Sequence, residues 1–274
     1  MRQDYTLVEL AAGSAALARW LLGAPKLVSY QGGKQGYASA IAETLGLEVA
    51  PSRVVLVDPG PWGEAWAAMV SAQDISYVAD ILSAWSNMPD RDLWGSLRED
   101  PPTNACERAA GFLFLQAREW GGKPAGWAQT AGFKPEEYPA HWNTPTRHTG
   151  RWDNPRPVLI ERLRKLAEVW PSCVEVHHSR AENVAPSMVG PTVVYIDPPY
   201  QEATGYADDW SRESVLTSAL SWHEAGAEIV AVSEAEVLGL PSASSYNITR
   251  SRVGQHRVRS KQKTEILTVI RNHQ

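Results

Sequence analysis

The stretch VVYIDPPYQEATGY, Val193 to Tyr206, begins as an apolar run, reaches a single carboxylate, and stops on two prolines and a tyrosine. A short, continuous, β-branched run predicts a buried strand. Pro198 and Pro199 end it, because each fixes φ and removes a backbone donor. Their carbonyls are left facing the space past the strand end, with the Asp197 carboxylate beside them. Such a site offers acceptors only, which suits a planar amino group with two N–H donors. Tyr200 adds a flat face on which a base can stack. The plainer alternative is a proline-terminated strand with a structural aspartate.

The same pattern recurs outward from this point. TLVEL (Thr6 to Leu10), RVVLVD (Arg53 to Asp58), CVEVHH (Cys173 to His178), AEIVAVS (Ala227 to Ser233) and TEILTVI (Thr264 to Ile270) all read as strands. Helical spacing is expected over Ala15 to Leu22, Lys34 to Leu45, Trp62 to Val70, Ile75 to Trp85, Asn104 to Trp120, Val158 to Trp170 and Ser211 to Glu224. Apolar strands alternating with helices predict an α/β fold: a doubly wound, mostly parallel sheet covered on both faces. Ligands of such sheets bind beyond the carboxyl ends of the strands. VELAAGS, LVDPGP, VHHSRAE and YIDPPY each follow a strand, so all four are expected along one edge. Between about Met88 and Pro157 the periodicity fades into Pro, Gly, Trp and basic residues. This predicts a core domain from residues 1–87 and 158–274, interrupted by a helical or irregular insert at 88–157.

The chain has 274 residues, a formal net charge of −5 and a 43% hydrophobic share, which describes a soluble globular protein. No apolar run is long enough to span a bilayer, and MRQDYTLVEL lacks a signal-peptide layout; a cytoplasmic protein is expected. Cys106 and Cys173 are too few for a disulfide framework or a zinc site, so no metal is expected. Net charge does not announce a polyanionic partner, but its distribution is uneven. Arg250 to Lys263 reads RSRVGQHRVRSKQK with no acid in it, and Arg147, His148, Arg151 and Arg156 form a second cluster. Either stretch is also consistent with a solvated face.

Three further motifs carry chemistry. AAGS, Ala11 to Ser14, lies between a strand and a helix, where small residues let backbone approach a ligand; a tight turn is the alternative. Its glycine spacing is not that of a dinucleotide fingerprint. Asp58 ends the second strand, where an acid accepts ribose hydroxyls or caps the next helix. YQGGK, Tyr30 to Lys34, sets a lysine after two glycines without the spacing of a phosphate-binding loop.

Taken together, E-x-x-A-G-S, GGK, DPPY and the final SKQKTEILTVIRN resemble the Dam-like (alpha-class) DNA adenine methyltransferases. RAAGFLFLQAREWGGKP, Arg108 to Pro124, is similar to that family's helix leading into its recognition region. The resemblance implies a Rossmann-like methyltransferase fold, S-adenosylmethionine as cofactor, and methylation of the exocyclic 6-amino group of a flipped adenine. Residue by residue, it places Glu9, Ala12, Gly13 and Ser14 in the cofactor loop and Asp58 on the cofactor's ribose. It sets Tyr30, Gly32, Gly33 and Lys34 at the cofactor's methionine end, and Asp197, Pro198, Pro199 and Tyr200 at the catalytic amine site. Double-stranded DNA is the implied partner. Its phosphates would meet Arg147, Arg151 and Arg156 in the insert and Arg250, Arg252, Arg257, Arg259, Lys261 and Lys263 near the last strand. The chain departs from the family in four places. Ala11 replaces a phenylalanine and Ala15 a glycine, GGK follows the cofactor loop instead of preceding it, and Ser179 stands where an acid near the cofactor's adenine is expected. Glu182 is the nearby acid.

DPPY chemistry serves cytosine N4 or RNA adenine methylation equally well. A catalytically silent DNA-binding protein with the same fold is the alternative of a different class. A dinucleotide oxidoreductase is disfavoured by the glycine spacing.

Overall fold

A computed structural model describes residues 4–28, 33–118, 155–199, 210–234, 238–249 and 265–272. The apolar runs form one seven-stranded sheet from β1 (Thr6–Leu10), β2 (Arg53–Val57), β3 (Val174–His177), β4 (Thr192–Ile196), β5 (Ile229–Glu234), β6 (Ser244–Ile248) and β7 (Glu265–Arg271). Their order is β3-β2-β1-β4-β5-β7-β6. The first five strands in that order are parallel, and β7 runs antiparallel to both β5 and β6. The protein is therefore α/β with a mostly parallel mixed sheet.

Register makes the strand ends level. Leu10 lies opposite Val57 on one side and Ile196 on the other, and Val57 lies opposite His177. The four loops read from the sequence thus leave one edge side by side. The order in which strands are added reverses at the parallel pair β1 and β4, the switch point at which doubly wound sheets open a crevice. The ladder also runs one step past the strands: the Asp197 amide donates to the Leu10 carbonyl (3.2 Å) and the Asp58 amide to the His177 carbonyl (3.1 Å).

Alternation sorts the side chains. Val8, Leu10, Val194, Ile196, Val230 and Val232 face one side and pack with Val215, Ala219 and Trp222 of the helix Arg212–Glu224. Each such side chain, fully buried, is worth about 1.5–3 kcal/mol. The opposite parity places Leu7, Glu9, Val193, Tyr195 and Asp197 on the other face. Two helices belong to this unit as well. α1 (Ala16–Leu21) and α2 (Ala38–Leu45) pack on each other, and the Arg271 guanidinium on β7 donates to the Thr44 carbonyl of α2 (3.0 Å). The helix expected from Lys34 onward is split into a 3-10 turn, Lys34–Gly36, and α2 proper.

The chain divides into two compact units. One comprises Met1–Ala24, Gly32–Gly63 and Pro171–Gln274; the other comprises Pro25–Gln31 and Glu64–Trp170. The helix α3 (Pro61–Ala67) contains the first main boundary. The second unit holds α4 (Ala72–Ala84), α5 (Asp90–Glu99), α6 (Ala105–Arg118) and α7 (Pro155–Val169). α4 starts on a reciprocal cap between Ser71 and Asp74, and Trp66 stacks on Trp170 at 5.4 Å between centroids. Its helices reach outside the span 88–157 that composition marked off. Among the described residues no helix is long and apolar enough to cross a membrane, and no group of His, Cys, Asp or Glu is placed to hold a metal.

Candidate active site

The turn after β1 is unusual backbone. Ala11, Gly13 and Ala15 have φ of 55°, 47° and 49°, all in the left-handed region. Glycine adopts this freely, whereas each alanine there costs about 1–2 kcal/mol. The strain persists because the turn is tied down on three sides. The Ala12 amide donates to the Val57 carbonyl (2.9 Å), the Gly13 amide to Asp58 Oδ2 (2.8 Å), and the Ala15 amide to the Ala12 carbonyl (2.7 Å).

Asp58 is the hub of that arrangement. Besides Gly13, its Oδ1 accepts from the Gly60 amide (2.8 Å) and the Gly63 amide (3.2 Å). Asp58 therefore caps the start of α3, one of its two expected roles, and its carboxylate also ties down the loop after β1. A carboxylate oxygen has two lone-pair sites. Oδ1 is filled, so Oδ2 keeps room for one further donor. Burial pushes the Asp58 carboxyl up from its ordinary range, while the three backbone amides hold it down.

Glu9, at the end of β1, is 2% exposed. Its Oε1 accepts from the Ala18 amide (2.5 Å), so it anchors α1 from beneath. Burial raises its carboxyl to about 8, against the Ala18 amide and the Arg19 charge. Arg19 is itself fully buried. It donates to the Ser14 carbonyl (2.6 Å), the Ser14 hydroxyl (3.3 Å) and the Gln35 side chain (3.2 Å). Ser14 is thus built into the loop's support, and Ala12 is buried beside it.

Lys34 reaches the centre. It is 3% exposed, and its Nζ lies 2.9 Å from Asp197 Oδ1 and 3.0 Å from Glu265 Oε1. The Ser233 hydroxyl donates to the same Glu265 oxygen (3.0 Å). Burial raises the Asp197 carboxyl to about 6; Lys34 pulls it down and Glu265 pushes it up. Tyr195 lies on the same strand face, fully buried, with its hydroxyl directed to the Ser233 side chain. Burial lifts that phenol well above its ordinary range, with the Asp197 charge adding to it.

Sequence reasoning named Glu9, Lys34, Asp58 and Asp197, and the fold brings all four to one edge of the sheet. It missed Glu265, Ser233 and Arg19. The signal for Glu265 was present: an acid at the start of an otherwise apolar strand. Pro198 is buried and Pro199 half-buried just past β4. Ser179 turns its hydroxyl onto the neighbouring Arg180 carbonyl (3.4 Å) and is not part of the cluster; Glu182 is exposed. Tyr30, Gly32, Tyr200, Arg147, Arg151, Arg250, Arg252, Arg257, Arg259, Lys261 and Lys263 lie outside the described residues.

Arg156 requires a correction. It was expected to face phosphate, but it is 8% exposed and paired with Asp90, and it donates to the carbonyls of Trp85 and Met88. Its charge is used inside the second unit, holding the start of α7 to the segment between α4 and α5.

The chain matches no family model, and no curated protein matches it.

Proposed function

We propose that the protein is an S-adenosylmethionine-dependent methyltransferase acting on the exocyclic 6-amino group of adenine in DNA. One observation carries the reading. Lys34 and Asp197, picked from separate motifs 163 positions apart (197 − 34), meet at 2.9 Å in a buried pair at the carboxyl edge of the sheet.

The residues present fit the cofactor in kind. Asp58 and Asp197 put carboxylates past the ends of the two strands that flank β1, an acceptor set that suits a cationic, hydroxyl-bearing molecule. The loop from Ala11 to Ala15 carries no bulky side chain. Asp58 Oδ2, with one free acceptor position, would take a single ribose hydroxyl. Bound there, S-adenosylmethionine would supply a methyl group activated by a positively charged sulfur.

The rest is the work of this chain. The target base must leave its stack to expose the amine. The Asp197 carboxylate and the Pro198 carbonyl accept its two N–H bonds, and the prolines contribute no competing donor. Asp197 has to be ionised for this. With its carboxyl at about 6, roughly nine-tenths is ionised at pH 7. The nitrogen loses one proton as it gains carbon, and Asp197 is basic enough to take it and release it through its 18% exposed side. Lys34 keeps the aspartate from climbing out of the working range. Positioning, acceptor electrostatics and this proton transfer together make up the catalysis. The antiparallel β7 breaks the six-parallel dinucleotide order, which argues against the oxidoreductase alternative.

The test is incubation with labelled cofactor and assorted DNA and RNA, followed by mass spectrometry of the nucleosides. N6-methyladenine in DNA is expected; N4-methylcytosine, or label in RNA alone, replaces the substrate. Asp197→Asn should cut transfer by at least about 100-fold, in line with loss of a proton-accepting group, with cofactor affinity within a few-fold by calorimetry. No detectable cofactor binding by the wild type would favour a silent DNA-binding protein.

A further inference from the structure

We infer that Glu265 is a positioning residue: by sharing Lys34 with Asp197, it sets how strongly Asp197 accepts a hydrogen bond from its ligand. The inference rests on the reading above only for the ligand's identity as an amine.

The geometry is specific. β7 is antiparallel to β5, so its first residue lies at the edge where the parallel strands end. Glu265 is that residue, 3% exposed. A single oxygen, Oε1, receives both Lys34 Nζ and the Ser233 hydroxyl at 3.0 Å. The lysine is thus divided between two acids at nearly equal distance. Burying an acid costs several kcal/mol even when it is paired. One carboxylate would neutralise Lys34, so the second calls for a reason. Dividing the cation supplies one. A lysine devoted to Asp197 alone would hold its carboxylate too tightly, leaving a weak acceptor. A lysine withdrawn altogether would leave a neutral acid, which donates instead of accepting. Glu265 sets the balance, and Ser233 tunes Glu265 by occupying part of the same oxygen.

Other charged and titratable groups belong to the same field among the described residues. Glu9 on β1 and Tyr195 on β4 both interact with the Asp197 charge, and Arg19 on α1 acts on Glu9. Tyr195 also feels the Lys34 charge and reaches the Ser233 hydroxyl, so Glu265 addresses Lys34 directly, whereas Ser233 is read in a Tyr195→Phe background.

The two positions make opposite predictions. Glu265→Gln removes the competing charge, so Lys34 turns fully to Asp197. The Asp197 titration should then move down by about two pH units, the order expected for one charge removed a few ångström away at an effective dielectric of roughly 20. Ser233→Ala leaves the charge but removes the hydroxyl. Glu265 then leans harder on Lys34, and the Asp197 titration should move up. The experiment is carboxyl ¹³C NMR of the full chain labelled at aspartate, with Asp197 assigned from the signal absent in Asp197→Asn. The acid limb of methyl transfer, measured in parallel, should follow the same two directions.

Opposite shifts support the inference. Absence of a shift in both variants, or shifts of the same sign, overturns it. If Glu265→Gln fails to fold, Ser233→Ala in a Tyr195→Phe background decides alone: an upward Asp197 shift there runs through Glu265, and no shift overturns the inference. Opposite NMR shifts without transfer to any nucleic acid would refute the proposed function while leaving the coupling in place.

Discussion

Replacing Lys34 by methionine keeps most of the side-chain volume and removes the charge. The wild-type ammonium lies between carboxylates at 2.9 and 3.0 Å and is almost wholly out of water. Removing one partner from such a buried arrangement costs about 3–5 kcal/mol, because the remaining charges have no counter-ion. Against a total stability of about 5–15 kcal/mol this is severe. The loss should also depend on pH in a definite direction. Asp197 is already raised from 3.8 to about 6 in the folded protein. Without Lys34 it rises further above its unfolded value. A raised acid destabilises at pH above its folded pKa, and that penalty disappears as pH falls through the folded value toward the unfolded one. The gap between wild type and variant should therefore be about 3–5 kcal/mol at pH 8 and shrink toward about 1 kcal/mol at pH 4. Urea unfolding at several pH values measures it directly. A gap constant across pH, or one under about 1 kcal/mol at pH 8, would refute the claim that Lys34 acts as a shared counter-ion.

Three other changes report on the frame around this pair. A Cβ on Gly63 would sit 1.9 Å from the Asp58 carbonyl oxygen and 3.1 Å from His178 Cδ2. Gly63→Ala should therefore cost about 3 kcal/mol or more in thermal unfolding, since backbone must move. Ala15→Gly relieves a left-handed alanine at φ 49°; after the entropy glycine adds to the unfolded chain, a gain of up to about 1 kcal/mol is expected in the same assay. Glu9, raised from 4.5 to about 8, makes wild-type stability decline as pH rises from about 5 to 8. Glu9→Gln should flatten that decline in chemical unfolding curves.

Five of the seven strands show in the sequence as plain apolar runs because central parallel strands are buried on both faces, as β1 and β4 are at every residue. The last, β7, was also legible, starting one residue later than expected. β6 was not: SSYNI is an edge strand with four exposed residues, so burial imposes no pattern on it. α5 escaped for a related reason, lying in a segment whose prolines and charges mask its helical spacing. At the site, Asp197, Asp58 and Lys34 stood out because each ends or begins an element beside glycine or proline. Ser233 and Arg19 did not, since a serine ending one apolar run and an arginine within a short helix look ordinary until folding brings their partners in. Arg156 shows the converse: charge clustering in sequence cannot reveal whether a guanidinium faces water or a buried carbonyl.

The interleaving of the two units has a consequence for synthesis. Every segment of the second unit, 25–31 and 64–170, leaves the ribosome before residue 171. β4, β5 and β7 emerge only afterwards. Lys34 must wait for 231 further residues (265 − 34) before Glu265 exists, roughly 10–50 s at ordinary elongation rates. A nascent chain can therefore finish the helical unit while the sheet is still missing its central partner β4, and the shared cation is enclosed only when the antiparallel strand closes the gap between β5 and β6.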